Sequence, residues 1–327
     1  MRIDGRLVLV DAPAFEEPVV REFVAAAFTG AQRARLDARG TADAAAPRSA
    51  DGGPYRAHAY RHVGGLRIAI RLLSEQVPSL EALALPNAVA EFARRPAGLV
   101  LFTGPTGSGK TTALAALIDR INRDSERNVV TVEDPVEYAH LPARSLITHC
   151  EIGRDVSDYE EALRGFLRAD PDVILIGEMR DQITIAAALT AAETGHLVFS
   201  TLHTNDAAQT VDRIVDAFAP EAHAQVRSQL SSVLTAIVAL RLVPRAGRSG
   251  RRAAAEILVG TDAVRALIRE GKTHQLRNTI VTGRAAGMQT LEAHLSELVV
   301  RGEITLAAAQ AATSRPTEVR AFERSAT

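Results

Sequence analysis

Nine consecutive residues, Gly104, Pro105, Thr106, Gly107, Ser108, Gly109, Lys110, Thr111 and Thr112, have the types and spacing that hold a phosphate chain. They read G-x-x-x-x-G-K-T between the apolar run Leu99, Val100, Leu101, Phe102 and a helix-forming stretch at residues 113–118. Strand, glycine loop and helix are the context such a loop requires. The glycines let the backbone turn its N–H groups inward, and the helix N-terminus adds partial positive charge. Lys110 would neutralise the β- and γ-phosphates of a nucleotide, and the Thr111 hydroxyl would bind Mg²⁺. Of 38 basic residues only Lys110 and Lys272 are lysines, so arginine-rich composition does not explain a lysine here. A compact ammonium fits inside the loop where a planar guanidinium does not.

Two further runs end in carboxylates. Val129, Val130, Thr131 and Val132 lead to Glu133 and Asp134 before Pro135. Open parallel sheets bind ligands at the carboxyl tips of their strands, which would direct these acids at Mg²⁺ and the γ-phosphate. A solvated turn before Pro135 fits the same residues. Val173, Ile174, Leu175 and Ile176 lead to Gly177 and Glu178. Strands of this kind usually carry Asp where Gly177 stands, so Glu178 is left to hold Mg²⁺ through water or to activate the attacking water. His196 and His203 bracket a third apolar run. A lone histidine is usually structural, but two on one strand of a nucleotide sheet point toward γ-phosphate sensing. Arg56, Arg61 and Arg71 lie on or beside strands of the first region, where arginines are by default solvated.

These residues need elements to position them. The 327 residues suffice for about two domains. With 46% apolar residues and a net charge of −1, the composition is that of a globular protein and argues against a dedicated nucleic-acid binder. One cysteine, Cys150, excludes an internal disulfide and a cysteine-based zinc site. The opening residues lack the apolar stretch of a signal peptide, and apolar runs fall short of the about 18 residues that span a bilayer, which predicts a cytoplasmic location. Alternation predicts strands at 6–10 and 65–73 and helical spacing a helix at 16–28; residues 41–54 read as a loop. One short helix is expected at 79–92, among Pro78, Pro86 and Pro96. From residue 97 apolar strands alternate with helices, the pattern of a parallel α/β sheet. Ser157 to Glu160 has the pattern of a capping box. The last third, from Asp206, reads as mostly helical, with Arg241, Arg245, Arg248, Arg251 and Arg252 in a solvated loop or against an anionic partner.

Taken in order, four blocks resemble the secretion-type hexameric ATPases and, within them, the PilT family of type IV pilus retraction ATPases. Residues 104–112 are similar to its Walker A loop, 131–138 to its aspartate box, 172–181 to its atypical Walker B and 194–205 to its histidine box. Residues 262–272 are similar to its C-terminal helical motif, and Gly287, Met288, Gln289, Thr290 and Leu291 to the stretch after it. The resemblance covers about residues 55–320. It implies a RecA-like P-loop NTPase core at 97–260 and a PAS-like α+β domain at 1–77, which is short for the family. A linker with a short helix at 78–96 and a C-terminal helical bundle at 261–327 complete the α/β chain. It further implies a homo-hexamer that hydrolyses ATP with Mg²⁺ and drives pilus retraction through an inner-membrane platform protein, held peripherally at that membrane. Arg56 and Arg61 would reach the phosphates, with Arg71 harder to place; Glu178 would activate water with Glu133 at the metal, or the reverse. Pilus assembly and type II secretion ATPases of the same superfamily usually carry a four-cysteine zinc module, which a chain with one cysteine cannot form. A nucleic-acid translocase on the same core is the rival of another class; the absence of Trp and only 4% aromatic residues count against it.

Overall fold

The computed structural model describes residues 1–3, 6–11, 13, 15–46, 53, 55–72 and 76–320. A first unit contains the ribbon β1 (Arg2–Ile3) and β2 (Arg6–Leu7), helices α1 (Glu17–Ala27) and α2 (Gly30–Arg39), and strands β3 (Thr41–Ala46), β4 (Tyr55–His62) and β5 (Gly65–Leu72). Short helices α3 (Leu80–Leu83) and α4 (Asn87–Phe92) lead to the main unit. It runs β6 (Gly98–Thr103), α5 (Lys110–Asp124), β7 (Asn128–Glu133), β8 (Leu146–Glu151), α6 (Tyr159–Phe166), β9 (Val173–Ile176) and α7 (Gln182–Glu193). It continues with β10 (Leu197–Leu202), α8 (Ala207–Val215), α9 (His223–Val233), β11 (Leu234–Pro244) and β12 (Arg251–Val259). Helices α10 (Asp262–Arg269), α11 (Leu276–Thr282), α12 (Leu291–Val300) and α13 (Leu306–Ala311) follow.

The main sheet has seven strands in the order β12-β11-β6-β10-β9-β7-β8, parallel throughout except for the antiparallel pair β11–β12. Neighbouring residues of each strand enter opposite cores. Leu99, Leu101, Val130, Val132 and Ile174 face α6 to α11, while Val100, Phe102, Val129, Val173 and Leu175 face α4 and α5. Burial on both faces is why these strands are continuous apolar runs, and it confines polar chemistry to their ends. This mixed, doubly covered sheet is of the α/β class, and a RecA-like core fits it.

Several expectations are corrected. The last third is mostly helical as expected but also holds two strands: β11 and β12, of 11 and 9 residues, form a long hairpin, and the arginines at 245, 248 and 251 belong to its tip. The apolar run at 234–240 suits a buried helix as well as a buried strand, and periodicity cannot separate the two. Residues 41–46 are not loop but β3. Ala42 and Ala44 point inward against Ala59 and Ala57 of β4, so small side chains suffice for a thin core with Val24, Phe28 and Leu36. Residues 47–52 and 54 of that expected loop lie outside the described residues. The helix expected at 79–92 breaks before Pro86, and the strand expected at 6–10 stops at Leu7. Asp158, not Ser157, caps α6, accepting from the Glu161 amide at 2.8 Å. Among the described residues no helix is long and apolar enough to cross a membrane.

One buried group stands out for its cost. Glu256, on β12, is 6% exposed and accepts a hydrogen bond from the Ala207 amide at 2.9 Å. Burial pushes its carboxyl from 4.5 to about 7, Asp206 and Glu292 adding to the rise while the Ala207 amide and Arg277 oppose it. The folded chain therefore binds more protons than the unfolded chain between those values, and this group's contribution falls as pH rises through that interval. The integrated loss is about 3 kcal/mol. Urea unfolding at pH 5 and pH 8 should find Glu256→Gln gaining on the wild type by that order at the higher pH; a difference independent of pH would contradict the burial argument.

Candidate active site

The loop after β6 is shaped by exclusion. Gly104 has φ +136°, and a Cβ there would stand 2.4 Å from the Leu240 carbonyl oxygen and 2.6 Å from Ser108 Oγ. Only glycine fits. Gly109, at φ 95°, precedes α5 with no side chain capping the helix, so the first-turn amides face the loop's interior. Lys110 Nζ donates to the carbonyls of Gly104 at 2.7 Å and Pro105 at 3.2 Å and lies 3.5 Å from His203 Nδ1. Burial pulls the Lys110 ammonium below its usual range, which Glu178 partly offsets.

β6, β10, β9 and β7 are consecutive in the sheet, so their carboxyl ends set the loop, His203, Glu178 and Glu133 side by side. His203 Nε2 lies 3.1 Å from Glu178 Oε1. Because its Nδ1 faces an ammonium and can only accept, Nε2 carries the proton and donates to Glu178. Arg180 Nε donates to the other oxygen, Oε2, at 2.8 Å. Glu133 is buried, with its Oε1 3.8 Å from His149 Nδ1. Gly177 has a packing reason as well as a chemical one. A Cβ there would approach Glu133 Cα at 3.2 Å, the Val132 oxygen at 3.3 Å and the Tyr159 hydroxyl at 3.4 Å. Lacking a side chain, the tip of β9 closes on β7 and brings the two glutamates together. Burial drives the Tyr159 hydroxyl's pKa well up, keeping it protonated.

These residues line a cavity of about 510 Å³, within the roughly 300–1,000 Å³ of small-molecule sites. The donors suit a nucleotide polyphosphate: a lysine and uncapped helix amides. Among the described residues no group of three or more His, Cys, Asp or Glu is placed to hold a metal ion by itself. Thr111, Glu133 and Glu178 line the same cavity, and their oxygens are of the type that would suit Mg²⁺ held partly through water.

Of the expected phosphate-loop residues Gly104, Pro105 and Ser108 lie behind the lining, and two of the expected catalytic residues are not brought to this cavity. His196 sits at the opposite edge of the sheet, six strand residues and about 20 Å away, where Nδ1 meets the Ala191 carbonyl at 2.9 Å and Thr194 Oγ1 at 3.1 Å. It closes the turn into β10. Arg61 pairs with Asp37 of α2 at 2.7 Å. Arg56 and Arg61 are five positions apart on β4, an odd offset, so they face opposite sides. Arg56 is paired in register with Arg71, and both line the cavity, Arg56 reaching Glu137 at 3.4 Å. Arg180 and Tyr138, whose hydroxyl meets Thr112 Oγ1 at 3.3 Å, also line the cavity without having been expected there, and Arg251, expected in a solvated loop or against an anionic partner, joins them from the hairpin end. Of the two unexpected residues only Arg180 carried a signal, two residues beyond Glu178. Steady-state ATP turnover should fall at least about tenfold in Arg71→Ala and stay within about twofold of wild type in Arg61→Ala; the reverse order would overturn this placement.

The profile of the type II/IV secretion system protein family matches residues 59–326. The type IV pilus retraction ATPase PilT of Pseudomonas aeruginosa is 47% identical over 251 residues, 77% of this chain and 73% of its own. An uncharacterized protein, YggR, of Escherichia coli is 43% identical over 303 residues, 93% and 91% of the two chains. A crystal structure of the pilus retraction motor PilT with bound ADP superposes with a TM-score of 0.86 at 40% identity, over 97% of this chain and 90% of that one. With family profile, relatives and structural neighbour in agreement, the chain belongs to the type II/IV secretion system protein family and, within it, to the PilT family.

Proposed function

We propose that this chain is an ATPase motor that drives type IV pilus retraction. The observation that carries the reading is the line of Lys110, His203, Glu178 and Glu133 along the carboxyl edge of one sheet, in a chain alike to PilT over nearly its whole length. The backbone amides of residues 104–112 bind the phosphates, and Lys110 turns from the Gly104 and Pro105 carbonyls to neutralise them. Mg²⁺, when bound, withdraws charge from the β- and γ-phosphate oxygens. Glu178 takes the proton of the attacking water, and His203 and Arg180 hold its carboxylate in place. Arg56 and Arg71 approach from the first unit and stabilise charge developing on the γ-phosphate. Their seat on a separate unit makes the site complete only when that unit closes.

In this reading residues 1–77 are a PAS-like domain, 78–96 a linker, 97–260 the RecA-like core and 261–327 the C-terminal helical region. Six copies form a ring, peripheral at the inner membrane, and nucleotide-biased rotation of the first domain is passed to a platform protein that withdraws pilin subunits. Throwing a two-state element from one side to the other needs about 5.5 kcal/mol of differential binding, which arginines and a histidine closing on a γ-phosphate can supply. Purified protein should hydrolyse ATP with a specific activity that rises cooperatively with protein concentration and ignores single-stranded DNA. Glu178→Gln should lose at least about 100-fold in kcat while still binding nucleotide. Turnover absent until DNA is added would replace the pilus reading with a translocase, and twitching not restored by the wild-type chain in a retraction-deficient strain would remove retraction.

A further inference from the structure

The turn between β10 and α8 begins at His203 and is held from below by a residue that no motif contains. Thr204 Oγ1 meets Thr210 Oγ1 at 2.6 Å, and Asp206 caps α8 by accepting from the Gln209 amide at 2.8 Å. Arg241 of β11 donates to Asn205 Oδ1 at 2.8 Å. The first amide of α8, on Ala207, is fully buried and is one of the donors a helix cannot satisfy from within. Its partner is Glu256 Oε1, on the outermost strand of the sheet.

We propose that Glu256 is a positioning residue for ATP hydrolysis, fixing the start of α8 and with it the turn that holds the His203 ring between Lys110 and Glu178. The inference rests on the reading of His203 as a contact of the γ-phosphate. The side chain is suited to the task because a carboxyl oxygen accepts from an amide at a helix's positive end in either protonation state, and the bond is charge-assisted once the group ionises. Burial makes the group expensive, yet a shorter or apolar side chain would leave the Ala207 amide buried without a partner, and the turn would shift to find water. Misplacing a reacting constellation by about 1 Å can cost about 100-fold in rate. The same carboxylate lies in the field of Arg277 and Glu292, which pair at 3.1 Å between α11 and α12, and Arg277 also pairs with Glu318. The position of the histidine turn is thereby tied to the packing of the C-terminal helices.

The test compares Glu256→Ala, Glu256→Gln and His203→Ala in the full-length protein, reading kcat and KM for ATP, affinity for a fluorescent ADP analogue, and thermal melting. Glu256→Ala should lose about tenfold in kcat with KM and ADP affinity within twofold, because the phosphate loop hangs on β6. Glu256→Gln, which keeps an acceptor oxygen, should stay within about threefold of wild type. In the double variant with His203→Ala, Glu256→Ala should cause no further loss. Glu256→Met fills the same volume without the acceptor and is read by the same criteria if Glu256→Ala does not fold. Wild-type kcat without the acceptor, equal losses in the Ala and Gln variants, or additive losses in the double variant would each overturn the inference. His203→Ala with wild-type turnover would overturn the reading of the site and the inference together, whereas an impaired His203→Ala beside an unimpaired Glu256→Ala overturns the inference alone.

Discussion

A parallel sheet buried on both faces leaves its strands one place to be polar, their ends, and the organisation of this molecule follows from that constraint. Leu99, Val100, Leu101 and Phe102 alternate between two dry cores, as do the central residues of β7, β9 and β10. Because these strands run the same way, their carboxyl ends share one edge, and the loop, the two glutamates and His203 meet there without any long excursion of the chain. The glycines do complementary work. Gly104 lets the loop pass under the Leu240 carbonyl, and Gly177 lets the tip of β9 lie against Glu133.

The charges at that edge are arranged as a chain of contacts. Lys110, His203, Glu178 and Arg180 alternate donor and acceptor from the loop to the rim of the cavity. Moving any one of them therefore disturbs its neighbours, and a phosphate oxygen that draws Lys110 away from its carbonyl partners changes what His203 meets. Such coupling is stronger here than in water, because Lys110 is buried deeply enough to depress its own ammonium.

Legibility in the sequence followed distance along the chain. The loop, Glu133, Glu178 and His203 each sit at the end of an apolar run, and a run and its tip are read from adjacent residues. The N-terminal arginines could not be sorted that way. Whether Arg61 or Arg71 joins Arg56 depends on strand parity and on the β4–β5 register, which pairs Arg56 with Arg71. His196 was misplaced for a related reason: bracketing a strand puts two residues at opposite edges of a sheet, not in one site. The β11–β12 hairpin was hidden because a strand dry on both faces has no alternation to betray it, and β3 because alanines at 42 and 44 look like loop filler until Ala57 and Ala59 are set opposite them. Glu256 had no local signal, since its meaning lies in Ala207, far away in sequence and adjacent in space.

The first unit keeps its own apolar cluster, built on Val24, Phe28, Leu36 and four alanines, apart from the two cores of the main sheet. Across to the aspartate-box turn it extends the partly exposed Arg56–Glu137 pair, a kind of contact worth about 1 kcal/mol or less. Turning the unit would break this weak pair while leaving each of the separate apolar clusters intact. Mechanically this is a hinge with little spring in it. Such a joint stores almost no elastic energy, so the timing of its movement would have to come from nucleotide arriving and leaving.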